Sequence, residues 1–202
     1  GILVDERTPI DCYCDACKRK YKEIYGETLP SAVIKNGGAL PERASPLYEF
    51  RRRCVIDFTR DMCDYVKAET SGLITQVAMM PVDFEMWDRI AEIGSLDIFG
   101  VDPYWLLKNR KRPFEWFVRM SQKALDLCSK TGKTSLIWIN CWNIAAGDEE
   151  EIGRGVREAA ALEPDMIYAW SFRGAAGTNE ACENPQEAWE ALIKEYRELK
   201  DE

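Results

Sequence analysis

The chain has 202 residues, 46% hydrophobic and 31% charged, which is enough apolar material for a core and too much for a disordered tail. With 35 acidic and 27 basic residues the net charge is −8, so a phosphate backbone is a poor partner and no nucleic-acid role is expected. Histidine is absent, which excludes Ser-His-Asp and Cys-His catalysis and histidine-held metals.

Acid–base chemistry therefore falls to Asp, Glu, Lys, Tyr or Cys. No apolar run approaches the ~20 residues that cross a bilayer, so no membrane partner is expected. Of eight cysteines, five (Cys54, Cys63, Cys128, Cys141 and Cys182) sit scattered in apolar settings as core thiols. That usage, with no basic leader in view, predicts a reducing, cytoplasmic setting.

In chain order, Gly1–Asp5 reads as a strand, and Asp11–Tyr25 as a helix starting after or within Cys12-Tyr13-Cys14-Asp15-Ala16-Cys17. Residues 30–45, with Pro30, Gly37, Gly38 and Pro41, read as a loop. Pro46–Glu69 repeats Leu47, Phe50, Cys54, Phe58, Met62 and Val66 at steps of three and four. Ser45 serves as its cap, proline stands in its first turn and Gly72 follows, so it predicts a long helix. Leu73–Met80, Leu96–Val101, Ser135–Cys141 and Met166–Phe172 read as strands, apolar on consecutive residues as in a sheet covered on both faces. Helices over Phe84–Ile93, Pro113–Lys130, Asp148–Ala161 and from Asn184-Pro185 onward alternate with them.

Five strands with their helices fit an open doubly wound sheet or part of a (β/α)8 barrel. No glycine fingerprint for a nucleotide follows the first strand, which favours the barrel. At roughly 40 residues per unit, eight units need ~320, so the expectation is an α/β chain supplying strands four to eight. Its first partner is then the N-terminal half of the same barrel.

Chemistry in such a fold belongs at the C-terminal strand ends. Those ends read Asp5-Glu6, Gln76 to Met80, Asp102-Pro103-Tyr104-Trp105, Asn140-Cys141-Trp142-Asn143 and Trp170-Ser171-Phe172-Arg173. Carboxylates supply acid and nucleophile or base, amides bond hydroxyls, and indole faces stack on sugar rings. The plainer alternative is that Trp142 and Trp170 are core and Asp102 caps a turn. Cys12, Cys14 and Cys17 offer three soft ligands at a spacing suited to structural tetrahedral zinc, the fourth ligand coming from outside the chain or from a distant cysteine. Bare thiols are the alternative, and no organic cofactor is expected. Arg51-Arg52-Arg53 and Lys108-Asn109-Arg110-Lys111-Arg112 read as solvated faces.

A strand, Asp5-Glu6, then Cys12-x-Cys14-x-x-Cys17 and a helix resembles the fourth βα unit of glycoside hydrolases of the family 42 beta-galactosidase type. Asp102-Pro103-Tyr104-Trp105 and Tyr168-Ala169-Trp170-Ser171-Phe172-Arg173 are similar to uncharacterised glycosidase-like barrel proteins. The resemblance implies a barrel that cleaves O-glycosidic bonds, with Glu6 as acid/base at strand four, a carbohydrate substrate, and zinc completed by an earlier cysteine. It also implies a nucleophilic Glu at the end of strand seven, where this chain has Ile139-Asn140-Cys141-Trp142-Asn143. The replacement is Asp102, giving Glu6 (or Asp5) with Asp102 as catalytic pair, and Gln76, Tyr104, Trp105, Asn140, Trp142, Trp170 and Arg173 around the sugar. Two other readings stay open. One is a sugar-phosphate isomerase or aldolase using Arg173 and Gly174–Gly177; the other is an inactive barrel that only binds carbohydrate.

Overall fold

The computed structural model describes residues 12–30, 42–70 and 72–201, so the expected strand Gly1–Asp5 and most of the loop at 30–45 lie outside it. The described chain divides into two compact units. One comprises Ile74–Pro81 with the residues from Leu96 onward, and the other the residues up to Leu73 with Val82–Ser95.

The first unit is built on β1 (Gln76–Met79), β2 (Ile98–Val101), β5 (Thr134–Asn140) and β6 (Met166–Trp170), all parallel and adjacent in chain order. Three of the strands are shorter than the sequence reading, because the ladder starts only at Gln76 and Ile98 and stops at Trp170. A short antiparallel hairpin, β3 (Leu106–Leu107) with β4 (Arg110–Lys111), interrupts the link after β2 where a solvated loop was expected. Three cations of this stretch have partners: Lys108 donates to the Ala181 carbonyl, Lys111 pairs with Asp148, and Arg112 lies over Trp116. α4 (Phe114–Thr131) packs on β2 and β5, α5 (Glu150–Ala161) on β5 and β6, and α6 (Pro185–Asp201) on α5. α4 ends where Gly132 takes a left-handed φ of 69°, as a glycine cap allows.

Strand register sorts the sheet into two faces. Val77, Met79, Phe99, Val101, Ile137 and Ile139 lie on one face and are buried, continued on β6 by half-buried Ile167 and Ala169. The other carries Ile98, Gly100, Leu136, Trp138, Asn140, Met166, Tyr168 and Trp170, and it opens toward β6, where Tyr168 is 39% and Trp170 50% exposed. Matching clasps lock the N-terminal strand ends. Asp97 accepts from the Thr75 amide and hydroxyl, and Asp165 accepts from the Ser135 amide and hydroxyl. Each aspartate returns its own amide to the same hydroxyl.

The second unit pairs α1 (Asp15–Tyr25) with α2 (Pro46–Glu69) and α3 (Phe84–Ala91). α1 starts after Cys14 and ends at Gly26, and Ser45 accepts from the Tyr48 amide to cap α2 as its sequence predicts. Of the arginine triplet that reads as a solvated face, only Arg53 is exposed. Arg51 and Arg52 are buried, and Arg52 bonds Asp83 at 2.9 Å, Glu49 at 2.6 Å and Glu85 at 2.7 Å. Asp83 also caps α3 by accepting from the Met86 amide. Burial alone would raise the Asp83 carboxyl, but Arg52, the Met86 amide and Tyr48 outweigh it and hold its pKa below the usual value.

Two stability predictions follow from this packing. Asp83→Ala should cost about 2–4 kcal/mol, combining a lost cap of ~1 with a charge-assisted buried bond, read from a urea midpoint at neutral pH. Because the folded pKa is depressed, that contribution is present above about pH 4 and fades as pH falls through the folded value, so wild type and variant should converge in acid. In α5, a Cβ on Gly155 would lie 2.3 Å from the Trp105 ring. Gly155→Ala should therefore destabilise by about 1–3 kcal/mol, opposite in sign to the usual gain of ~1 for Gly→Ala within a helix.

Candidate active site at the strand ends

Asp102 stands one residue beyond β2, and its amide still donates to the Met79 carbonyl, so the ladder extends to it. It is 6% exposed. Strand alternation gives it the face of Ile98 and Gly100, and the register carried one step past Val101↔Ile137↔Ile167 sets it level with Trp138 and Tyr168. Asn140 and Trp170, paired to each other, follow one step further along the same face. Trp138 meets Tyr168 edge-to-face at 5.3 Å. A carboxylate, an amide and three aromatic rings thus share one end and one face of the sheet.

Asn140 is fully buried. Its amide donates to the Leu106 carbonyl at 2.7 Å and the Trp142 carbonyl at 3.2 Å, while Oδ1 has no hydrogen-bond partner among the described residues. The indole N–H groups of Trp138 and Trp142 are in the same position. One buried acceptor and two buried donors, close in sequence, thus have their hydrogen-bonding capacity open among the described residues. Tyr104 is buried and meets Trp142 edge-to-face at 5.8 Å. Past β6, Arg173 is exposed with its guanidinium over the Phe172 ring.

Two expected sugar contacts are displaced. Gln76 opens β1, so it stands at the strand end opposite Asp102. Short strands make the two ends easy to exchange in a sequence reading. Trp105 is 3% exposed and wedged among Phe114, Phe117 and Gly155, which makes it a core ring with no face for a ligand. Asp5 and Glu6 lie outside the described residues. Trp138 was overlooked in the sequence, although its i+2 spacing to Asn140 marks it as sharing that side chain's face.

Glu149, the residue before α5, is buried and clamps the loop leading into that helix. It accepts from the Gly147 amide at 2.8 Å and the Asn184 amide at 3.0 Å.

In the second unit Cys12, Cys14 and Cys17 bring their sulfurs within 4.8 Å of one another. A tetrahedral zinc thiolate site needs S···S separations of about 3.8 Å, so the set fits after a small contraction, and these residues could hold a metal ion. The Cys17 amide, with hydrogen bonds from the neighbouring thiols, draws Cys14 down to about 7, whereas burial pushes Cys17 up to about 12. Metal-free protein should accordingly be alkylated first at exposed Cys14, with a rate rising through about pH 7, as followed by peptide mass analysis. Buried Cys63, Cys128, Cys141 and Cys182 should stay unmodified until the chain unfolds.

Among known proteins, no family model matches the chain, and no curated protein does. The family 42 resemblance therefore gains no support. A solved structure does match, that of a Bacteroides thetaiotaomicron protein described as a "putative alpha-L-fucosidase", with TM-score 0.54 and 14% identity. The match covers 72% of this chain and 51% of that one, so the chain spans about half the length of the structure it resembles. At that identity the likeness is one of fold. No helix among the described residues is long and apolar enough to cross a membrane.

Proposed function

We propose that the chain is an arc of a (β/α) barrel of glycoside hydrolase type, with a carbohydrate site at its C-terminal strand ends. The observation that carries this reading is the shared end and face of Asp102, Asn140 and Trp170, with Trp138 and Tyr168 beside them. Two further facts support it. The strands run parallel in chain order without the reversal of a doubly wound sheet, and the fold is similar to that of a protein described as a fucosidase. The half-open face at Tyr168 and Trp170 suits further βα units of the same barrel as its cover.

In this mechanism Asp102 is one carboxylate and Glu6, or its neighbour Asp5, the other. With no histidine in the chain, one carboxyl must stay protonated near neutral pH, raised by burial or by its partner's charge, while the other stays ionised. The protonated acid gives its proton to the leaving oxygen as the other carboxylate attacks the anomeric carbon or activates water. Asn140 Oδ1 accepts from a sugar hydroxyl, and Trp170, half exposed, offers its ring to an apolar sugar face.

A second reading, an inactive barrel that binds carbohydrate, is favoured by one feature. Both amide hydrogens of Asn140 are already held by the chain at the strand end where the related clan carries its nucleophile.

A panel of aryl glycosides, alpha-L-fucosides included, separates the two. Asp102→Asn and Glu6→Gln should each lower turnover about 10²–10⁴-fold with an unchanged circular dichroism spectrum. A wild type that binds oligosaccharide and turns over no glycoside supports the second reading instead.

A further inference from the structure

We propose that Cys14 and Cys17 form a reversible disulfide by exchange with a low-molecular-weight disulfide of the glutathione class. Cys14 is the thiol that reacts first, and Cys17 is the one that closes the bridge. The proposal uses the free thiols and needs no metal on them.

Cys12, Cys14 and Cys17 are free thiols whose sulfurs lie within 4.8 Å of one another. A disulfide draws two sulfurs to ~2.05 Å, which side-chain rotation can cover only where the backbone already suits the pair. It suits Cys14 with Cys17. Cys14 is the N-cap of α1, extended at φ −66° and ψ 164°, and its carbonyl accepts from the Lys18 amide at 3.0 Å. A side chain at the cap turns toward the third residue of its helix, which here is Cys17. Cβ atoms three positions apart on a helix stand ~5–6 Å from each other, and a disulfide needs ~3.5–4.5 Å. Cys14, outside the regular helix, can make that approach without breaking the turns that follow.

Access decides which thiol reacts first. Cys14 is exposed, whereas Cys12 and Cys17 are half-buried. A small disulfide reaches the exposed thiol, so the bridge includes Cys14. Cys12 is the poorer second partner. One residue separates it from Cys14, which makes a tighter loop, and that residue, Tyr13, is tied to α2 by accepting from Arg51 at 2.8 Å. Cys63, Cys128, Cys141 and Cys182 are buried, and half-buried Cys54 stands outside the group of three.

In the first step Cys14 gives its proton to solvent, and its sulfur attacks one sulfur of the small disulfide. The mixed disulfide forms and one glutathione thiolate leaves. Cys17 then loses its proton and attacks Cys14 Sγ, so that the internal bond forms, the mixed disulfide breaks and the second glutathione departs. The two protein thiols lose two electrons, and the small disulfide gains them as two thiols. Excess reduced glutathione runs both steps backward.

Full-length protein, reduced and held in chelator, tests the assignment when it is titrated with oxidised glutathione, quenched in acid, alkylated and mapped by peptide mass analysis. The expected result is a Cys14–Cys17 bridge with Cys12 alkylated, and full reversal by reduced glutathione. Cys17→Ser should stop after the first exchange and accumulate Cys14 as its glutathione adduct. Cys14→Ser should lose the bridge and Cys12→Ser should keep it, each with an unchanged circular dichroism spectrum. In the wild type, a bridge through Cys12, a lasting glutathione adduct or a scrambled mixture overturns the proposal. So do thiols that stay reduced at a roughly tenfold molar excess of oxidised glutathione. The wild-type map decides the matter even if a variant fails to fold.

Discussion

The register of the parallel sheet is the constraint on which the candidate site depends. A slip of one residue in any strand would send its side chains to the opposite face, and Asp102 would no longer share a side with Trp138 and Tyr168. The clasps at Thr75–Asp97 and Ser135–Asp165 oppose such a slip. Each ties the residue before one strand, or its second residue, to an aspartate just ahead of the next, using amide and hydroxyl donors together. They occupy the N-terminal strand ends. The C-terminal ends remain open to carry polar groups whose hydrogen bonding is incomplete, as with Asn140. The clasps and the polar groups with incomplete hydrogen bonding thus lie at opposite ends of the strands.

The second unit meets a different constraint. α1 is short and its apolar content small, so a core of Tyr21, Leu29 and Phe50 is supplemented by charge pairs. Arg52 alone satisfies three carboxylates, and Asp83 works both as its partner and as the cap of α3.

Element types were legible in the sequence because the periodicities were clear. The 24-residue α2 has the bounds its apolar spacing and Ser45 cap predict, and α4 stops at Gly132 as expected. Strand ends were less legible, since apolar runs continue past the point where a neighbour is available to pair. That is why Gln76 was assigned to the wrong end of β1. Arg51 and Arg52 illustrate a related limit. A run of three arginines reads as solvated until the acidic residues that neutralise it, Asp83 and Glu85, are brought against it from about thirty positions away.

The sequence by itself determined the alternation of strands and helices, the caps, the absence of histidine chemistry and the thiolate spacing, all of which depend on residues close together in the chain. Only the tertiary structure decided which aromatic rings are core and which are free. Trp105 and Trp170 are equally aromatic and equally near a strand end, yet Gly155 and two phenylalanines enclose the first, while the second stands half exposed on the edge strand β6. The same holds for the level shared by Asp102, Trp138 and Tyr168 and for the pairing of Arg52 with Asp83. Each joins residues dozens of positions apart, and such proximity is fixed by strand register and helix packing, which no local pattern encodes.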